Sequence, residues 1–225
     1  MRRTLSLPVT LAVALVVAGC GGGSSSSSTS STKAASKPSS GCKQVPEPKP
    51  RHVKLKSPPV TVKTGEKLTA DVATSCGSFQ ISLDTGNFPK TVNSFVYLAK
   101  RGFYNGLDFQ RVVPQFVVQG GDPLGTGAGG PGYTVVESPP SSTSYRRGVV
   151  AMAKTAVQPP GASGSQFFVV TAPADAGLPA DYAVLGKVTS GMDSVERIAH
   201  LANPALGPQG GPPRQPVVID KITVH

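Results

Sequence analysis

An arginine opening an apolar run is the most chemically loaded feature of this chain. Residues 111–123 read RVVPQFVVQGGDP, so a permanent charge leads into the stretch that looks most like core. A buried charge is costly unless something pairs with it. The other groups that do chemistry are absent or badly placed. GTGAGG at 125–130 has the glycine spacing of a dinucleotide fingerprint, but Pro131-Gly132 follows where a helix must open. GASGS at 161–165 lacks the spacing of a nucleophile elbow. Of the three histidines, His52 sits in a basic arm, His200 near a helix end and His225 at the end of the sequence. No catalytic triad, carboxylate pair or metal-ligand spacing remains. An enzyme built from these residues works without nucleophile, metal or cofactor.

The elements that must position Arg111 are short strands. Leu68 to Ala73 and Phe79 to Asp84 alternate apolar and polar around the turn Thr74-Ser75-Cys76-Gly77, as a hairpin does. Pro89 suits a helix start, Val92, Phe95, Val96 and Ala99 recur at helical spacing, and Gly102 suits the stop. Residues 109–119 read as strand, proline-marked break and strand. Further strands follow at 149–152, 166–171, 184–188 and 217–224, with a second helix from Asp193 or Ser194 to about Leu201. Seven or eight short strands and two helices predict a mainly β fold, a closed antiparallel barrel capped by two α-helices. The Gly/Pro stretches 120–132 and 155–164 become surface loops.

The first residues carry a different message. Arg2-Arg3 precedes an apolar stretch from Leu5 to Ala18, with the proportions of a secretory signal. Val17-Ala18-Gly19-Cys20 resembles the lipobox of bacterial lipoproteins, which implies a signal peptide over 1–19, lipid on Cys20 and an exported protein held at the extracytoplasmic face of the membrane. Residues 20–65 read as a disordered tether, Gly/Ser-rich and then Pro/Lys-rich, leaving 66–225 as the folded domain. The net charge is +10, but residues 33–67 hold nine Lys/Arg against Glu47 and Glu66, and residues 68–225 eleven against ten Asp/Glu. The charge belongs to the arm, which argues against a nucleic-acid partner; the arm either lies on an anionic surface or is a solvated spacer. With Cys20 used by lipid, Cys42 and Cys76 form an exported pair suited to a disulfide, two free thiols being the alternative.

FQRVVPQFVVQGGD at 109–122, GTG at 125–127, AMA at 151–153 and GSQFF at 164–168 follow one another in the order and spacing of the cyclophilin family, which the chain resembles from about Leu68 to Val224. The resemblance implies a closed eight-stranded antiparallel β-barrel, capped by two α-helices, that isomerises Xaa-Pro bonds of unfolded or proline-containing polypeptides, and it gives the arginine a task. Arg111 is then expected on the barrel surface at the lip of an apolar cleft, aimed at the prolyl nitrogen. Gln119 would hold that arginine and a substrate carbonyl. Phe116 and Phe168 would floor the proline pocket, Met152 and Leu178 would wall it, and Gln166 would form a second polar wall. Gly125, Ala153, Lys154 and Thr155 would line a neighbouring groove, and Tyr182 stands where family members carry histidine or tyrosine. A monomer is the family expectation.

Three departures qualify that resemblance. Lys154 replaces an asparagine of the best-studied members, the chain has no tryptophan, and the segment Asp175 to Tyr182 is one residue longer. Loss of the indole donor implies weak cyclosporin binding with isomerase activity kept. The Lys154 change supports a second reading, a proline-peptide binding module or holdase with little turnover; the intact Arg111 opposes it.

Overall fold

The computed structural model describes residues 41–225. The leader, Cys20 and the Gly/Ser part of the arm lie outside the described residues. Among the described residues the chain forms ten strands, two α-helices and one short 3-10 turn. In chain order these are β1 (Thr69–Thr74), β2 (Gly77–Leu83), α1 (Pro89–Lys100), β3 (Arg111–Val113), β4 (Val117–Gly120), β5 (Val135–Val136), β6 (Val149–Met152), β7 (Ala162–Ser163), β8 (Phe167–Val170), β9 (Val184–Ser190), α2 (Met192–Ala199), the turn Pro204–Leu206 and β10 (Ile219–Val224).

Eight of the strands form one antiparallel sheet in the order β10-β1-β2-β9-β6-β8-β4-β3; β5 and β7 make a separate small ribbon. The expected closed barrel is corrected to an open half-barrel, because no ladder joins the outer strands β3 and β10. The seam carries isolated contacts instead, where Phe109 N–H donates to Val217 O and Ile219 N–H to Leu107 O. Pro212, Pro213 and Pro216 precede β10 and have no N–H to extend that pairing.

Strand alternation sorts side chains onto two faces. The concave face is filled by a large cluster that includes Phe95, Tyr104, Phe109, Val118, Met152 and Phe167. Phe167 meets Phe95, Tyr104 and Phe109 edge-on, with centroids 5.8–6.1 Å apart. A smaller cluster on the other face contains Val113, Val117, Tyr145, Ala151, Phe168 and Val170. The functional chemistry lies over this second cluster.

Helix α1 covers one end of the sheet. Pro89 occupies its first turn, and no side chain of its own caps the N-terminus. Glu137 supplies that cap from a distant loop, its carboxylate accepting from the N–H groups of Thr91 at 2.8 Å and Lys90 at 3.3 Å.

Residues 42–62, expected to be a disordered spacer, instead lie along the domain as a strap. Cys42 is disulfide-bonded to Cys76. Arg51 donates through Nη2 to Phe103 O at 2.7 Å, and Leu55 N–H donates to Pro131 O at 2.7 Å. Asn93 on α1 clamps the far end. Its Oδ1 accepts from the N–H groups of Thr61 and Val62, and its Nδ2 donates to Pro59 O. An extended Pro-rich chain has no partners within itself, so these backbone groups bond to the domain.

Candidate active site

Strand β3 begins with Arg111 and pairs with β4 so that Arg111 stands opposite Gln119. Val112 is fully buried in the large cluster and Val113 lies in the small one. Arg111 is only partly buried, at the rim of the second face. Its Nη1 donates to Gln119 Oε1 at 3.2 Å, and its Nε donates to Gln209 O at 3.1 Å. Burial lowers the guanidinium pKa from its ordinary value and Tyr182 opposes that shift; a guanidinium stays protonated throughout the working pH range.

The polar chain continues inward. Gln119 Nε2 donates to Gln166 Oε1 at 2.9 Å, and Gln110 Nε2 donates to the same oxygen at 3.0 Å. Gln166 Nε2 in turn donates to Gly127 O and Gly129 O, each at 2.9 Å. Each amide is thus fixed by its neighbours, and Gln119 can hold Arg111 only in one orientation.

The apolar partners lie beside this chain. Phe168 is the cross-strand neighbour of Gln119. Its ring packs edge-on against Tyr182 at 5.5 Å, within the small cluster against which Phe116, Leu178 and Ala153 also pack. Tyr182 is held by its backbone: its N–H donates to Tyr145 Oη at 3.0 Å, and that hydroxyl donates to Tyr182 O at 2.7 Å. Phe116 and Arg111 share an open depression with Val113, Pro114, Pro208 and Gln209.

A second cavity of about 540 Å³ adjoins the first across Gln119. Gln166, Ala153, Lys154 and Thr155 line it, together with strap residues 51–54. Lys154 is nearly buried; its Nζ lies 3.6 Å from Asp181 and 5.6 Å above the Tyr182 ring. Thr155 is exposed and donates through N–H to Gln158 Oε1.

Two expected placements differ. Met152 is completely buried in the large cluster, not on the cleft wall, because it alternates with Ala151, which faces the cleft side. Val117 lies in the small cluster on the cleft side instead, two residues from Gln119 on the same face of β4; that spacing was the signal for it. Gly125 is exposed and does not line the second cavity, where Gly127 and Gly129 stand in its place. The carbonyl of Gln209 was also missed, since nothing local ties residue 209 to β3.

The site therefore combines a fixed, charged donor with an apolar shelf. The family model for the cyclophilin type peptidyl-prolyl cis-trans isomerases matches residues 69–224. A peptidyl-prolyl cis-trans isomerase-like 1 of Aspergillus niger is 39% identical over 137 residues, 58% of this chain and 82% of that protein. The crystal structure of a Cryptosporidium parvum cyclophilin type peptidyl-prolyl cis-trans isomerase superposes with a TM-score of 0.62 at 27% identity, covering 71% of this chain and 98% of the other. The same parasite protein in the presence of the dipeptide Ala-Pro gives a TM-score of 0.61 at 26% identity, covering 70% and 98%. By sequence family and by fold, the chain belongs to the cyclophilin-type peptidyl-prolyl cis-trans isomerases.

Proposed function

We propose that this isomerase acts on Xaa-Pro bonds of exported polypeptides from a lipid anchor at Cys20, with Arg111 stabilising the twisted amide. The observation that carries the catalytic part is the hydrogen-bonded chain Arg111–Gln119–Gln166 along the edge of the Phe116, Phe168 and Tyr182 cluster. Amide resonance sets a rotation barrier of ~18–20 kcal/mol, and rotation breaks no bond. In the twisted state the prolyl nitrogen becomes pyramidal and regains a lone pair. A guanidinium donating to that nitrogen stabilises the twisted amide more than either planar form. Raising a rate of ~0.01 s⁻¹ to ~10 s⁻¹ requires roughly 4 kcal/mol. The apolar shelf holds the prolyl ring, while Gln119 keeps the guanidinium aimed.

The Ala-Pro dipeptide studied with the parasite relative supports a proline-containing ligand. Export is supported by the leader, by the lipobox-like Cys20 and by the Cys42–Cys76 disulfide, which suits an oxidising compartment. The test is expression of the full chain with radiolabelled palmitate. Label and membrane association that both vanish in Cys20→Ala are expected; label-free protein released to the medium would overturn the anchor.

A further inference from the structure

The groove beside the isomerase cleft is walled by a segment that lies outside the strands and helices. Arg51, His52 and Lys54 of the strap line it together with Lys154, and among the described residues no carboxylate lines it. The nearby acids are occupied. Asp181 lies 3.6 Å from Lys154, and Asp122 accepts from the N–H groups of Leu124 and Gly127. Asp122 and Glu47 act on Asp108, and none of the three belongs to the groove lining. Arg51 is pinned through Phe103 O, whereas Lys54 is exposed and pairs with no carboxylate among the described residues.

The wall is in intimate contact with the domain. Gly132 has φ +92°, and a Cβ there would come within 2.8 Å of Lys54 Cα, so the strap backbone rests directly on this turn. The Leu55 N–H to Pro131 O bond fixes the same spot, with the disulfide and the Asn93 clamp holding the strap's two ends. Gln119 and Gln166 belong both to the polar chain of the cleft and to this groove, so a peptide seated in one extends into the other.

We propose that the strap is a specificity element: residues 51–54 make the groove a basic subsite for an acidic side chain flanking the substrate proline. This rests on the cleft being the isomerase site. Charge complementarity in a partly enclosed groove discriminates against like charge more strongly than it adds affinity.

The test compares proline-isomerisation rates of the full chain on matched peptides carrying Glu, Ala or Lys at each position flanking the Xaa-Pro pair. For the preferred position, kcat/KM for the Glu peptide should exceed that for the Lys peptide by about fivefold at low salt and converge with it above about 0.5 M salt. Lys54→Glu should abolish or invert that ratio. Equal rates on Glu and Lys peptides in the wild type, or an unchanged ratio in Lys54→Glu, would overturn the proposal. Calorimetric titration with the same peptides separates the two readings. Absent turnover with Glu-selective binding defeats the isomerase site and keeps the basic subsite; turnover without selectivity does the reverse.

Discussion

Arg111 and Gln119 face each other across the β3–β4 ladder, and a 3.2 Å hydrogen bond joins their side chains. The glutamine is itself held by Gln166, so the guanidinium is aimed by a relay that begins inside the domain. Gln119→Leu should remove one of the two anchors of Arg111 while keeping the side chain's bulk. Loss of a charge-assisted hydrogen bond of about 1.5 kcal/mol corresponds to a roughly tenfold fall in kcat/KM. Peptide isomerisation kinetics check this, with circular dichroism to establish an unchanged fold.

The other anchor depends on a glycine. Gly210 has φ +63°, and a Cβ on it would meet Val112 O at 2.3 Å. The neighbouring Gly211 exchanges backbone hydrogen bonds with Val112, which brings Gln209 O to Arg111 Nε. Gly210→Ala should displace this loop, costing about 1–3 kcal/mol of stability and lowering kcat more than it raises KM. Full activity in a variant of unchanged melting temperature would show that the Gln209 carbonyl does not position Arg111.

Asp108 predicts a pH signature. Burial, with the charges of Asp122 and Glu47, raises its pKa from 3.8 to about 6. The native state therefore holds a proton that the unfolded chain has released between those values. This contribution to stability is complete below pH ~3.8 and is lost as pH rises through ~6. Asp108→Asn should remove the decline over that window and raise the melting temperature at pH 7–8 relative to wild type. Parallel melting curves for the two proteins from pH 4 to 8 would count against the buried-acid account.

The strap makes stability redox-dependent. Cys42 and Cys76 are 34 residues apart in sequence, and closing a loop of that length lowers unfolded-state entropy by an amount worth about 4 kcal/mol. Reduction with a thiol, or Cys42→Ser, should lower the melting temperature by about 8–16 °C. Equal melting points under oxidising and reducing conditions would mean that the Cys42–Cys76 disulfide adds nothing to the fold.

What could be read in advance depended on whether a residue's partners were local. Arg111, Phe116, Gln119 and Phe168 were grouped by the resemblance of FQRVVPQFVVQGGD and GSQFF to the cyclophilins; the registers of β3–β4 and β4–β8 set Arg111, Gln119 and Phe168 side by side, while Phe116 lies in the turn between β3 and β4. Met152 was placed on the pocket wall with Leu178 by the resemblance, whereas alternation puts it on the opposite face from Ala151. The strap was unreadable for a different reason. Pro/Lys composition describes how a segment behaves alone, whereas Asn93, Phe103, Pro123 and Pro131 supply its partners from far along the chain. Barrel closure likewise depended on whether the chain around 107–113 and 211–219 could pair across the seam, where prolines leave too few donors.

The central claim is that a fixed guanidinium lowers the barrier to amide rotation. Its most direct test is kcat/KM for an Xaa-Pro reporter peptide with wild type, Arg111→Lys and Arg111→Ala, alongside peptide affinity by calorimetry. Catalysis should fall at least tenfold in Arg111→Ala and substantially in Arg111→Lys, with peptide affinity changing by less than about threefold, because the lost interaction belongs to the twisted state. Equal catalysis by folded wild type and Arg111→Ala, or a loss confined to affinity, would contradict it.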